Sequence, residues 1–437
     1  MILRTASEHL RAVIGSTAIL ALPVLAGCQS DKLSAGGPYA EQVAKAIPLI
    51  ERSSGLKFKT PPKIESRTRD EVRGFLEKKF NEETPALELA GAERAYKLFG
   101  LLPDSLDLRK YLLTLLTEQV IGYYDPGTKV LYVVNGDGTP QGAPSPEVVS
   151  VTITHELVHA LQDQYFPLDS LQGVRGDNDR QSAAQAVIEG EATFEQLAVM
   201  LGGGGFITKL PGGWDRVREM IRDAQGQMPV FSTAPMLVQE TLLFPYLSGA
   251  EYVRAFKEKR PGGYPFRPLP ASTKQVLHPE RMFDTANVPV HVTFPRLSGA
   301  KVIYENNLGE FETRLLLFQT SKDAQSAARG AAGWSGDRYV VVETAQGAGI
   351  SWLSVWESPV EAAEFRDLME RAIEKRFALG AGTGGRGEAR RFSAKGRQLE
   401  LVAATVQGRP AVLFTDVPAG ASTKLIDLTK VKLSRAP

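Results

Sequence analysis

Cysteine is almost missing from this chain: Cys28 is the one example in 437 residues, which excludes an intramolecular disulfide. Histidine is scarce, with five residues, so two at a ligand spacing carry weight. Charge of one sign is lacking as well. Lys and Arg total 51 against 50 for Asp and Glu, so no global field favours nucleic acid, and no nucleic-acid partner is expected. Beyond residue 26 no apolar run reaches the roughly 20 residues that a spanning helix needs. The Gly-rich stretch 379–388 lacks the Lys-Ser/Thr of a P-loop and the helix pattern that follows a dinucleotide fingerprint, so it reads as a loop. What remains is ordinary globular composition, with enough length for two or three domains.

The N-terminus differs in kind. Arg4 and Arg11 precede an apolar run, 12–26, that ends in Leu25-Ala26-Gly27-Cys28. A basic start, a short apolar core and small residues before the cut describe a secretory signal. Leu-Ala-Gly-Cys resembles the bacterial lipoprotein box, in which the cysteine is lipidated and becomes the mature N-terminus. That resemblance implies a signal peptide over 1–27, lipidation at Cys28, a tether over 28–37, and a soluble body exported and held on the cell-envelope membrane by its lipid. Gln29, rather than Asp, after the cysteine implies the outer membrane, periplasmic or surface side, in a Gram-negative cell. An uncleaved anchor is the alternative, for which the run is short.

The stretch Thr154-His155-Glu156-Leu157-Val158-His159 carries the chemistry. Residues four apart share a helix face, so His155 and His159 can present two imidazoles to one cation. Glu156, about 100° away around the helix, can work on water at that cation without ligating it. Zinc-assisted hydrolysis needs that set and a third ligand. The helix is legible too. Ser145-Pro146-Glu147 supplies a capping hydroxyl, a first-turn proline and an acid. Apolar residues from Val148 to Leu161 cover most of the circumference, which predicts burial. The alternative is a surface helix with two stacked histidines.

Around this helix the chain reads as α+β. Helices are expected over 39–53, with a kink or break at Pro48, over 69–80 behind a capping box at Thr68-Arg69-Asp70-Glu71, and over 88–99 and 106–116. A short strand is expected over 63–67. Runs 119–124 and 129–134, rich in β-branched and aromatic residues about Asp125-Pro126-Gly127-Thr128, predict a hairpin leading into the His155 helix. A second helix over 180–200 carries Glu189-Gly190-Glu191-Ala192. Its two acids stand roughly 200° apart, so one of them can face a metal. The small Ala186, Gly190 and Thr193 would let this helix approach the first. Helices over 214–223 and 237–259, the second interrupted at Pro245, precede a proline-bounded loop with His278. His291, in a strand over 288–294, is read as structural. From 297 the pattern becomes that of an α+β accessory module with a long helix over 359–377. Within it Trp334-Ser335-Gly336-Asp337-Arg338-Tyr339 stands out, with no chemistry assigned.

His155-Glu156-x-x-His159 followed by Glu189-Gly190-x-Ala192 resembles the gluzincin metallopeptidases, whose third zinc ligand is a Glu on a following helix. Glu-Gly-x-Ala is the form in their aminopeptidase-like members, and the run from His155 to Asp163 resembles the thermolysin form. The resemblance covers mainly residues 118–201. It implies a zincin-like domain over 38–295 followed by the module over 296–437, with zinc on His155, His159 and Glu189 and with Glu156 as general base. It also implies a His or Tyr that hydrogen-bonds the oxyanion. His278 is the first candidate for that donor and Tyr246 the second; a loop histidine capping a helix is the alternative for His278. Asp163 or Glu195 would orient a ligand histidine. A sheet edge beside the metal would bind extended substrate. The chain departs from the aminopeptidases in lacking Gly-x-Met-x-Asn and in the longer interval between His159 and Glu189. The activity implied is hydrolysis of a peptide or protein substrate. The alternatives are a binding or assembly lipoprotein with a structural zinc, and a zinc hydrolase of non-peptide amides.

Overall fold

The computed structural model describes residues 12–14, 39–82, 86–134, 145–171, 176–202, 213–284, 287–297, 299–379 and 389–435. Cys28, the 28–37 tether, nearly all of the expected leader and most of the Gly-rich stretch lie outside them. In chain order the first half holds β1 (Ala12–Ile14), α1 (Ala40–Ser54), β2 (Lys63–Arg67), α2 (Arg69–Glu82), α3 (Ala86–Phe99) and α4 (Leu108–Gln119). Then come β3 (Val120–Asp125), β4 (Val130–Val134), α5 (Pro146–Tyr165), α6 (Asn178–Met200), α7 (Gly213–Gly226) and α8 (Met236–Phe244). A π-helical turn, Pro245–Gly249, leads into α9 (Ala250–Lys259). The rest comprises β5 (Val290–Thr293), β6 (Lys301–Asn306), α10 (Gly309–Ser321), α11 (Ala324–Ala332), β7 (Trp334–Thr344), β8 (Gly347–Trp356), α12 (Pro359–Phe377), β9 (Arg390–Ala394), β10 (Arg397–Val406), β11 (Arg409–Pro418) and β12 (Lys432–Arg435). The class is α+β, as the sequence predicts. No helix among the described residues is long and apolar enough to cross a membrane.

Local signals set many of these boundaries. Thr68 and Glu71 exchange bonds, Thr68 N–H to Glu71 Oε2 at 2.7 Å and Glu71 N–H to Thr68 Oγ1 at 3.2 Å, the reciprocal box that starts α2. Ser145 Oγ accepts from the Val148 N–H at the start of α5. Asp125 closes the β3–β4 turn by accepting from Gly127 N–H and Thr128 Oγ1. Pro48 does not break the helix: α1 runs through it. Burial of Val43, Ala46, Ile47 and Ile50 on one face outweighs the bond that proline cannot make.

Two principal sheets organise the chain. The first has the order β1-β3-β4-β2, with β3 and β4 antiparallel and β2 parallel to β4. The second, antiparallel throughout, has the order β6-β7-β8-β11-β10-β9. One apolar cluster includes residues from both sides of the expected 295/296 boundary, from Val43 to Phe414. Phe99 on α3, for instance, meets Tyr339 and Trp352 edge-on, each with ring centroids 5.4 Å apart.

Polar bonds reinforce that contact. The Asn178 and Asp179 N–H groups at the start of α6 donate to the side chains of Asn306 and Asn307, at 2.8 and 2.9 Å. The orphan donors of α6 are thus met from the C-terminal half. Asp337, in the stretch to which the sequence assigns no chemistry, accepts four bonds. They come from Leu308 N–H, Gly309 N–H and the indoles of Trp334 and Trp352, at 2.8 to 3.0 Å. It fixes the entry to α10 while buried under two tryptophans.

Candidate metal centre

The site is built on two buried helices. In α5 every residue from Thr152 to Asp163 is buried, and in α6 every residue from Gln181 to Ala198. Polar side chains there need partners inside the protein. β3 packs tightly against α5 at Gly122, where a Cβ would stand 2.8 Å from Thr152 Cγ2. That approach lets Tyr124 N–H donate to Glu156 Oε2 at 2.7 Å, so a strand amide holds the carboxylate next to the histidines.

His155, His159 and Glu189 converge. One ligand atom from each lies within 4.8 Å of the others. His155 Nε2 is 3.2 Å from Glu189 Oε2, and His159 Nε2 is 3.3 Å from the same oxygen. All three side chains are buried. Burial pushes the His155 pKa down, which favours the neutral imidazole that ligates metals. Burial also pushes the Glu189 carboxyl up, but His159 and His155 outweigh it and hold the acid well below the usual carboxylate range. His159 Nε2 is buried and makes no hydrogen bond. Two imidazoles and a carboxylate about one point form a group that can hold a metal ion.

Two glutamines orient the imidazoles. Gln196 Oε1 meets His155 Nδ1 at 3.3 Å, and Gln162 Oε1 meets His159 Nδ1 at 2.8 Å. Each amide is held the right way round because its NH2 donates to a carbonyl at 3.0 Å, Val151 for Gln196 and Ile188 for Gln162. With each Nδ1 on a glutamine, both Nε2 atoms face Glu189 Oε2. Gln185 Nε2 donates to Glu189 Oε1 at 2.7 Å and leaves Oε2 toward the histidines.

The residues expected in this orienting role lie elsewhere. Asp163 takes Tyr124 Oη at 2.9 Å, Lys129 Nζ at 2.7 Å and the Leu168 N–H at 3.1 Å, tying the hairpin to the end of α5. Glu195 pairs with Lys257 on α9. Glu191 accepts from Gln162 Nε2 at 3.1 Å, one bond behind His159, and burial pushes its carboxyl up to about 7. Of the two acids, Glu189 is the one that faces the histidines.

Tyr246 joins the group and His278 does not. The Tyr246 ring lies 6.1 Å from that of His155, and its hydroxyl donates to Glu189. Burial raises its phenol well above the ordinary range, and Glu189 and Glu156 add to that. His278 Nε2 instead contacts Glu310 Oε1 on α10 at 2.7 Å. Glu310, Glu280 and Lys274 are the charges around it. Tyr246 is placed by the π-helical turn. A Cβ on Gly190 would stand 2.3 Å from the Gly249 carbonyl carbon, and one on Gly249 would stand 2.0 Å from Ala186 O. Main chain therefore lies on main chain between α6 and the turn. The small residues of α6 bring it to this turn, where the sequence suggests an approach to α5. A π-turn also re-aims the side chains that follow, a device common at functional sites.

The sequence did not single out Gln162, Gln196 or Gln185. The available signal was indirect: polar amides on helices otherwise buried all round require partners.

A family described as a domain of unknown function (DUF8575) matches residues 298–413. The match covers well under half of the chain and lies outside the metal centre. No curated protein and no solved structure matches the chain.

Proposed function

We propose that the chain is a zinc-dependent metallopeptidase, with a zincin-like arrangement of β3, β4, α5 and α6 and a lipid anchor at Cys28. The observation that carries this reading is the buried His155–His159–Glu189 group with Glu156 held beside it by a strand amide. A purely structural metal needs no such poised carboxylate, and its ligand set is usually closed by four protein groups. Zinc held by the three ligands would supply a Lewis acid and lower the pKa of bound water toward about 7.

The chain's own groups do the rest. Glu156 takes the proton of the attacking water and returns it to the leaving amine. Tyr246, kept protonated by its raised pKa, donates to the oxygen on which negative charge develops. With the leader that carries β1 removed at Cys28, β3 becomes the sheet edge and offers backbone partners to an extended peptide. The pairing of Ala12 with Tyr123 and of Ile14 with Val120 supports this, since that edge accepts an extended segment.

The test is metal content together with peptide hydrolysis. Wild type should carry one zinc per chain, and Glu189→Ala should lose it. Glu156→Gln should keep the zinc while turnover of a peptide library falls by about a hundredfold or more. Full zinc in Glu189→Ala, or unchanged turnover in Glu156→Gln, would remove the reading.

A further inference from the structure

The turn that carries Tyr246 has a second working face. Phe244, Leu247, Ser248 and Glu251 follow one another at helical spacing and line a cavity of about 590 Å³, the size of ordinary small-molecule sites. Tyr246 and Gly249 point the other way, to Glu189 and to Ala186. The cavity's opposite wall comes from α10 and α11. One part of it is apolar: Phe244 stacks on Phe311 with ring centroids 4.1 Å apart, and Leu315 and Phe318 continue the surface.

The other part is charged, and its charges do not cancel. Arg218, Arg222 and Arg314 line it against Glu240 and Glu251. Arg222 grips Glu240 with two bonds, at 2.8 and 2.9 Å, and Arg218 pairs with Glu251. Arg314 has no salt-bridge or hydrogen-bond partner among the described residues. Glu310, one turn earlier on α10, feels its charge but is engaged by His278 at 2.7 Å. A buried Arg218 Nε likewise lacks an acceptor. A wall with a surplus guanidinium beside aromatic and aliphatic surface selects an anion with an apolar body.

We propose that this cavity binds an amphipathic anion, with its carboxylate or phosphate head on Arg314 and its apolar body against Phe311 and Phe318. The site is separate from the metal centre, and the inference does not depend on the proteolytic reading.

Calorimetric titration of the purified full chain tests it, with octanoate, octyl phosphate, 1-octanol and inorganic phosphate as probes, each below its micelle concentration. One equivalent of octanoate or octyl phosphate should bind at least tenfold more tightly than 1-octanol and than inorganic phosphate. Binding of octanoate alone assigns a carboxylate head, and binding of octyl phosphate alone a phosphate monoester. Arg314→Gln should weaken the anion at least tenfold and leave 1-octanol unchanged. Ser248→Leu, which narrows the cavity and spares every arginine, should weaken anion and alcohol together. If Arg314→Gln does not fold, the head-group comparison in wild type and the Ser248→Leu result decide. Equal affinity for octanoate, octyl phosphate and 1-octanol, equal affinity for inorganic phosphate, no binding of either anion, or wild-type binding by Arg314→Gln would overturn the proposal.

Discussion

Gln162 and Gln196 decide which nitrogen of each histidine is open to a metal. Both are neutral acceptors, so they set ring orientation without adding charge to the carboxylate already present at Glu189. Gln162→Leu removes the acceptor on His159 Nδ1 and frees that ring to turn. Zinc affinity should fall about 10- to 100-fold with the helical content unchanged, as measured by competition with a chelating dye. An unchanged affinity would mean that backbone packing alone holds His159. His155, Glu156 and His159 could be read from helical spacing, whereas Glu189 was separated from Glu191 only by the resemblance to the gluzincins. The glutamines could not be read from spacing, because an amide acceptor on a neighbouring helix follows no fixed interval. His278 and Tyr246 were both legible as candidates, but their order depended on which of them α10 would claim. Glu310 does that from 32 residues downstream of His278, a contact no local pattern reports.

At the scale of elements, caps, turns and hydrophobic periods made α1, α2, α5, β3 and β4 readable to within a few residues. The π-turn was visible as a break at Pro245 but not in its consequence, since its geometry comes from α6 pressing on Gly249. Gly249 has ordinary helical angles, φ −64° and ψ −46°. Propensity alone would therefore favour Gly249→Ala by about 1 kcal/mol. The 2.0 Å approach to Ala186 O argues the reverse. We expect a net loss of about 1–3 kcal/mol, seen as a lower thermal midpoint. Turnover at equal metal loading should fall further than stability, because the shifted turn carries Tyr246 with it. A raised midpoint would show that the contact is looser than described.

For the whole molecule the decisive region is the seam where α3, α6 and α10 meet. Glu312 on α10 is buried there and accepts from Tyr96 Oη at 2.8 Å and Asn178 Nδ2 at 2.9 Å. Burial pushes its carboxyl from the ordinary 4.5 up to about 7. A folded-state pKa above the unfolded one means that the native protein holds this proton more tightly. Its contribution is complete below about pH 4.5 and is lost as pH rises toward about 7, with an upper bound on the order of 3 kcal/mol. Urea midpoints at about pH 5 and about pH 7.5 should therefore differ more in wild type than in Glu312→Gln. The same pH response in both would exonerate Glu312. Neither this seam nor the four bonds on Asp337 could be read from local sequence. Their partners lie far apart along the chain, and charged residues at such positions look like solvated surface until the fold buries them.

The seam also bears on how such a chain can be inherited. α6, which carries Glu189, has its first amides met by Asn306 and Asn307, and its Asn178 side chain donates to Glu312. A recombination event that exchanged the stretch after residue 297 would bring α6 a new neighbour with none of these acceptors, leaving buried donors stranded at its N-terminus. In genomes the two halves should therefore travel as one unit of exchange, with changes at Asn178, Asn306 and Glu312 arising in step.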